Sequence, residues 1–288
     1  MFDSVFAMQK SMRQILHTML MATVLGLSAC ASAPPALPGT HEVNLNGVRF
    51  STAISGSGRT VVVFENGLAS KKEVWATVQT EIAKSYTVFG YDRPGQGASS
   101  SSHDPRIGSH IVEDLRALLK TQHLEPPYVL VGHSVGGLYM QLYARKYPQE
   151  VAGLVLVDST HPLHFAGPGA MENRSVLSRS VMAVGLWGNA SEEFQNITAT
   201  GQEVLSAPSL AVDLPTIILI APQKPASTDP TDVAMNTYDD ALRWDFAKLY
   251  PSAQVRETHT GHNVHGENPK LVIQAIEEVL AKASTRAK

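Results

Sequence analysis

The stretch Tyr128 to Gly137, reading Tyr-Val-Leu-Val-Gly-His-Ser-Val-Gly-Gly, constrains this chain more than any other. Val129, Leu130 and Val131 read as the end of a buried strand, and Leu138 to Tyr147 as a helix. Between them Gly132, Ser134 and Gly136 fit the pattern G-x-S-x-G. A serine on a sharp strand-to-helix turn lifts its hydroxyl above a sheet, and the glycines are needed because a Cβ there would collide with the neighbouring strand and helix. The turn also aims the N–H of Val135 at the place where an oxyanion would form. The remaining question is which residues supply a base, an acid and a second oxyanion donor.

The flanking chain alternates as such a turn requires. His41 to Ile54 alternates polar and apolar residues around Asn46-Gly47, a strong hairpin signal. Val61 to Phe64 is a continuous apolar run, expected of a strand buried on both faces of a parallel sheet. A helix is expected over Lys71 to Ala83, a strand over Tyr86 to Tyr91, and an amphipathic helix carrying Ile107, Ile111, Leu115, Leu118 and Leu119. Further strands are expected at Val151 to Val157, Thr216 to Ala221 and Gln254 to Thr258, with a helix over Tyr238 to Leu249. Asn268 as N-cap and Pro269 at the first helical position begin a last helix. Residues 159–214 break the rhythm and read as a helical lid inserted between two core strands. These features predict one α/β domain with a mostly parallel central sheet and helices on both faces.

The N-terminus reads differently. Lys10 and Arg13 precede an apolar run from Ile15 to Leu27 that is too short and interrupted to span a membrane. Residues 1–29 are expected to be a signal peptide, with Met8 or Met12 as alternative starts. Leu27-Ser28-Ala29-Cys30 resembles the bacterial lipoprotein signal, in which the cysteine is lipidated. Cys30 is the only cysteine, so an intrachain disulfide is impossible. The alternative is a plain signal peptide cleaved at an Ala-x-Ala site nearby, giving a soluble periplasmic or secreted protein. Residues 30–40, rich in Pro and Ala, then read as a tether, leaving a domain from residue 41 to 288 facing the periplasm. A formal net charge of −3 gives no reason to expect nucleic acid or an anionic membrane surface as partner.

Four landmarks in order carry a family resemblance: Phe64-Glu65-Asn66-Gly67-Leu68, Tyr91 to Ser99, Gly132 to Gly137, and Gly261-His262-Asn263-Val264-His265. From about Val43 onward the chain resembles the α/β-hydrolases, and serine at the elbow separates it from the dehalogenase and epoxide-hydrolase branches. The resemblance implies that Ser134 is the nucleophile and that His262, following the last strand, is its base. It also implies a second oxyanion donor after the Val61 to Phe64 strand, which by position is the Leu68 N–H. Glu65 and Asn66 stand where many relatives have His-Gly, and Glu65 is expected either to be solvated or to brace this loop through Arg93. Tyr91 to Ser99 is otherwise read as a scaffold turn.

Among eleven histidines, His133 is expected to pack within the elbow and His265 to pack or cap. His259, His262 and His265, spaced by three, and the pair His161 and His164 raise the question of a metal site. The three cross a strand end at Gly261 and would not share one face, and no cysteine or fixed carboxylate stands nearby, so no metal site is expected. The acid is the open position. The loop after Thr216 to Ala221 offers no carboxylate before Asp229 and Asp232, whereas Asp158 stands at the carboxyl end of the preceding strand. Asp158 is the assignment, with Asp229 as the alternative and Asp232 third.

The expected activity is hydrolysis of a carboxylic ester through an acyl-enzyme, without a cofactor, on a small substrate with an apolar part. A lactonase, amidase, thioesterase or cofactor-free perhydrolase could use the same triad. A lipid-anchored binding protein without catalysis is the reading from another class. For the N-terminus, Cys30→Ser is expected to move the protein from the membrane to the soluble periplasmic fraction, and an unchanged distribution on fractionation would exclude lipidation.

Overall fold

The apolar run Val61 to Phe64 divides its side chains between two cores. In a strand successive residues face opposite ways, so such a run belongs where both sheet faces are covered. Val61 and Val63 pack with Leu115, Leu138 and Leu142 on one side, and Val62 and Phe64 pack with Val78, Ile276 and Val279 on the other. The computed structural model describes residues 37–183, 186–222 and 230–286. The signal segment, Cys30, most of the tether and Asp229 lie outside the described residues.

Eight strands form one sheet among the described residues. They are β1 (Thr40–Leu45), β2 (Val48–Ser55), β3 (Val61–Glu65), β4 (Thr87–Tyr91), β5 (Tyr128–His133), β6 (Val151–Val157), β7 (Thr216–Ile220) and β8 (Gln254–Glu257). Their order is β1-β2-β4-β3-β5-β6-β7-β8. From β4 to β8 all neighbours are parallel, while β2 runs antiparallel to β4 and to β1. The hairpin between β1 and β2 turns at Asn46 (φ 52°) and Gly47 (φ 82°). Two successive positive φ values are what a two-residue turn with the strand's own twist demands.

The longer helices among the described residues are α1 (Ala76–Ile82), α2 (Gly108–Thr121), α3 (Val135–Lys146), α4 (Val176–Ala183), α5 (Gly188–Gln195), α6 (Ile197–Ser206), α7 (Pro230–Leu249) and α8 (Pro269–Arg286), with a single helical turn at Val264–Glu267. The apolar faces of α2 and α3 cover one side of the sheet, and α1 and α8 cover the other. Between β6 and β7 the chain makes two short 3₁₀ turns and then α4, α5 and α6. This insertion docks by polar contacts as well as apolar ones. The first N–H groups of α2 have no cap from their own segment; Thr200 Oγ1 accepts from Gly108 N–H at 3.0 Å, and Glu203 accepts from Ser109 N–H at 2.9 Å.

Two boundaries differ from the sequence expectation. The helix expected from Leu138 begins at Val135, directly after the nucleophile candidate, because the glycines are tolerated once the helix packs into the sheet. The helix expected from Tyr238 begins eight residues earlier at Pro230. Proline suits the first helical turn, and in residues 231–237 the apolar Val233, Ala234 and Met235 are consecutive rather than at helical spacing, which hid the helix from an apolar-periodicity reading.

Candidate active site

Ser134 directly follows β5 with φ 54° and ψ −125°, outside the regions that a β-carbon favours. The backbone around it holds that geometry. Ser134 N–H donates to Val157 O at 3.2 Å, and Ser134 O accepts from Gly137 N–H and Thr160 N–H, both at 3.0 Å. The two glycines of the pattern supply room. A Cβ on Gly132 would stand 2.7 Å from Gly136 O, and one on Gly136 would stand 2.3 Å from Asn66 O. The elbow, α3 and the loop after β3 are therefore packed backbone to backbone.

A cavity of about 210 Å³ opens above the elbow, lined by Ser134, Val135, Leu68, Asp158 and His262 among others. His262 comes from the loop after β8, and its side chain is 53% exposed. Its Nδ1 lies 2.5 Å from Asp158 Oδ2. Because a carboxylate oxygen accepts, this contact places the ring proton on Nδ1 and leaves Nε2 free to take one. The second Asp158 oxygen is occupied elsewhere. Oδ1 accepts from Ala221 N–H at 3.0 Å and from the Arg243 guanidinium of α7. Arg243 also donates to Ala221 O at 2.9 Å. The Asp158 backbone is itself strained, with φ 41°, and its N–H donates to Leu219 O at 2.8 Å. The strand end, the β7 exit and α7 thus converge on one carboxylate.

His133 does not face the cavity chemistry. Its Nε2 donates to His262 O at 2.9 Å, and its ring packs among Trp75, His262 and His265. His265 lies against Trp75, with ring centroids 4.4 Å apart. Both belong to a stack that supports the His262 loop from behind. His259 is exposed and does not join them. Among the described residues no three His, Cys, Asp or Glu side chains are grouped to hold a metal ion.

Of the remaining acid candidates, Asp232 sits in α7 and accepts from Ser175 Oγ at 2.9 Å, whereas the His262 ring meets Asp158. Asp229 is outside them. Val135 N–H and Leu68 N–H have no acceptor among the described residues, and both residues line the cavity beside Ser134. The structure therefore brings together Ser134, His262, Asp158, Val135 and Leu68. Arg243 and Asp239 of α7 also line the cavity and have no signal in the sequence, because no short motif contains them. His161 and His164, from the start of the insertion, line it too, and their spacing in sequence suggests only a metal pair.

Chemically, the arrangement offers a hydroxyl, an imidazole fixed in the tautomer that accepts at Nε2, and two free N–H donors at one wall. It is suited to attack on a carbonyl whose oxygen gains charge.

Residues 60–177 match the family model described as alpha/beta hydrolase fold. The protein YqjL of Bacillus subtilis (strain 168) is 25% identical over 250 residues, covering 84% of this chain and 92% of that one. Among solved structures, a membrane phospholipase A superposes with a TM-score of 0.57 at 16% identity, covering 94% of this chain and 99% of its own. A thioesterase domain from the curacin biosynthetic pathway gives 0.60 at 16% identity, covering 84% and 99%. At such identities the likeness to these structures is one of fold. The chain has the α/β-hydrolase fold.

The buried histidines make stability depend on acid. Burial holds His133 well below the ordinary histidine range, and His265 and His262 add to the effect. Burial brings His265 down to about 4, helped by His262, and brings His161 to about 4 against the pull of Asp245. His164 falls to about 3, through burial and then Arg174 and Arg243. An unfolded chain takes up these protons near pH 6.5, and the folded chain does not until about pH 4, so stability falls as pH drops through that window. His265→Asn removes one such titration. Its unfolding free energy, read from urea titrations, is expected to fall less steeply than wild type by ~1.4 kcal/mol per pH unit inside the window. Equal slopes would mean that His265 is protonated in the folded protein.

Proposed function

We propose that this chain is a serine hydrolase that cleaves a carboxylic ester through an acyl-enzyme. The observation that carries the reading is the 2.5 Å contact between His262 Nδ1 and Asp158 Oδ2, made at the wall of the cavity that holds Ser134. Ser134 attacks the ester carbonyl as His262 Nε2 takes its proton, and the charge that develops on Nδ1–H is met by Asp158. The carbonyl oxygen turns toward the Val135 and Leu68 N–H groups, whose strength in a water-poor site exceeds that in water. His262 then returns the proton to the leaving alcohol and next activates the water that releases the acid.

The cavity limits the substrate. Its volume of about 210 Å³ lies below the usual range for drug-sized ligands. Phe165, Met182 and Ile197 supply apolar walls from the insertion, which acts as the lid. A short acyl group with an apolar face fits that description. The solved relatives act, by name, on a phospholipid and on a thioester, so both leaving groups belong in the test. We place the enzyme at the bacterial envelope, anchored through Cys30 and facing the periplasm.

Two measurements test this. Across p-nitrophenyl esters from acetate to laurate, kcat/KM is expected to peak at the short chains. Ser134→Ala should lower turnover by at least ~10⁴-fold and abolish labelling by a fluorophosphonate. A wild type that neither labels nor turns over any oxygen ester or thioester would end the hydrolase reading, and preference for acyl-thioesters would change the leaving group alone. For the acid, Asp158→Asn offers an amide where His262 needs an acceptor, and kcat is expected to fall on the order of 10³–10⁴-fold. Wild-type turnover in that variant would remove Asp158 from the reaction.

A further inference from the structure

Arg93 follows β4, and its side chain is fully buried with no cavity contact. It spends its donors on the loop that carries Leu68. Nη1 donates to Asn66 O at 2.7 Å and to Glu65 Oε1 at 2.6 Å, and Nη2 donates to Gly67 O at 2.8 Å. The peptide group is planar and trans, so its C=O and N–H point in opposite directions. Holding Gly67 O at the guanidinium therefore turns the Leu68 N–H away from Arg93, and Leu68 lines the wall beside Ser134. Nearby, Glu65 Oε1 accepts from Asn66 N–H at 3.1 Å and Oε2 accepts from Tyr91 OH at 2.6 Å.

The other side of Arg93 is held from the insertion. Glu193 of α5 accepts from Arg93 Nε at 3.0 Å and Nη2 at 2.9 Å, and its side chain too is fully buried. The same carboxylate accepts from Gln96 Nε2 at 2.9 Å, and Gln96 Oε1 accepts from Ser70 N–H at 3.2 Å. Glu193 thus anchors both arms that reach from the β4 turn to the loop 65–70. All its hydrogen-bond partners, Arg93 and Gln96, are donors, so both carboxylate oxygens are used as acceptors. Burial pushes the Glu65 carboxyl up, against the lowering effect of Arg93; Glu65 and Glu193 both contact the guanidinium, at 2.6 and 2.9 Å.

We infer that Arg93 and Glu193 are positioning residues that set the second oxyanion donor, so that docking of α5 and the aim of the Leu68 N–H are one event. This rests on the serine-hydrolase reading. Neither side chain touches substrate; both act through the backbone of Asn66, Gly67 and Leu68. An insertion that carries substrate-facing residues Phe165, Met182 and Ile197 thereby also controls transition-state binding.

The test compares Glu193→Gln, Arg93→Lys and wild type on the best ester of the panel. The glutamine amide keeps the carboxylate's shape but turns an NH₂ toward the N–H groups of Arg93 or Gln96. The lysine keeps the charge but cannot reach both carbonyls. Each is expected to lose kcat by roughly 10²-fold, the scale of one lost oxyanion donor. KM should stay within about threefold, because the ground-state carbonyl leans little on that donor. Affinity for phenylboronic acid, whose tetrahedral adduct occupies the oxyanion site, should fall in parallel with kcat. Variants that melt cooperatively with wild-type kcat, or that lose kcat with unchanged boronate affinity, would overturn the coupling. If neither variant melts cooperatively, Gln96→Leu decides, since it removes the whole arm from Glu193 to Ser70, with a 3.4 Å contact from Arg93 Nη2, while leaving the Arg93–Glu193 pair in place. Wild-type kcat and boronate affinity in that protein would overturn the coupling, and a parallel fall would support it. An inactive wild type is the separate failure of the parent reading, and the inference falls with it.

Discussion

The close approach of three backbones at the Ser134 elbow is the constraint on which the rest of this structure depends. Ser134 is held at positive φ, a conformation that costs on the order of 1–3 kcal/mol and persists only where its surroundings enforce it. Those surroundings are Val157 O, Thr160 N–H and Gly137 N–H, drawn from the adjoining strand end and from the first turn of α3. The missing β-carbons of Gly132 and Gly136 let α3 and the loop after β3 press against the strand end. Ser134, Val135 and Leu68 reach one cavity wall because nothing stands between their main chains.

Around that elbow, buried charge does the positioning that apolar packing cannot. Apolar contact is nearly direction-blind, whereas a carboxylate or guanidinium accepts only certain geometries. Asp158 divides its oxygens, one to His262 and the other to Ala221 N–H and Arg243. Arg93 divides its donors between the oxyanion loop and Glu193. Both ion pairs join a core strand or turn to helices that follow much later in the chain. Removing one partner of such a pair typically costs 3–5 kcal/mol, on the order of a third of a domain's stability. Fold and site therefore share the same interactions.

Much of the fold was legible because its signals are local. The period-two alternation of β1 and β2, the Asn46-Gly47 turn, the unbroken apolar runs of β3 and β6, and the Pro269 helix start each depend on a few neighbouring residues. Where a segment takes its stabilisation from afar, the reading fell short. The first turn of α7 carries no apolar period and declares itself only through its packing. The α2 N-terminus is capped by Thr200 and Glu203, some ninety residues on, and no local rule for caps reaches that far. In the site, Arg93 beside Glu65 is one of two arrangements the neighbouring turns allow, and it is the one present, with Glu65 buried rather than solvated. Glu193 on the same guanidinium was not, because α5 belongs to the insertion, whose placement has no sequence period.

By itself the sequence determined the strand-helix rhythm, the sharp turn at Ser134 and the presence of a histidine after the last strand. These follow from steric and patterning rules acting over two to ten residues, and no partner elsewhere is needed to express them. Which carboxylate stands at His262, and what holds it there, was decided only by the tertiary structure. His262 meets Asp158, and Arg243 occupies the other oxygen, because the end of β6, the β7 exit and the body of α7 meet at one point. The Leu68 donor likewise takes its direction from Arg93 and, through it, from a glutamate 100 residues further along. Charges that distant leave no mark on one another in sequence; only the packed backbone brings them within hydrogen-bond range.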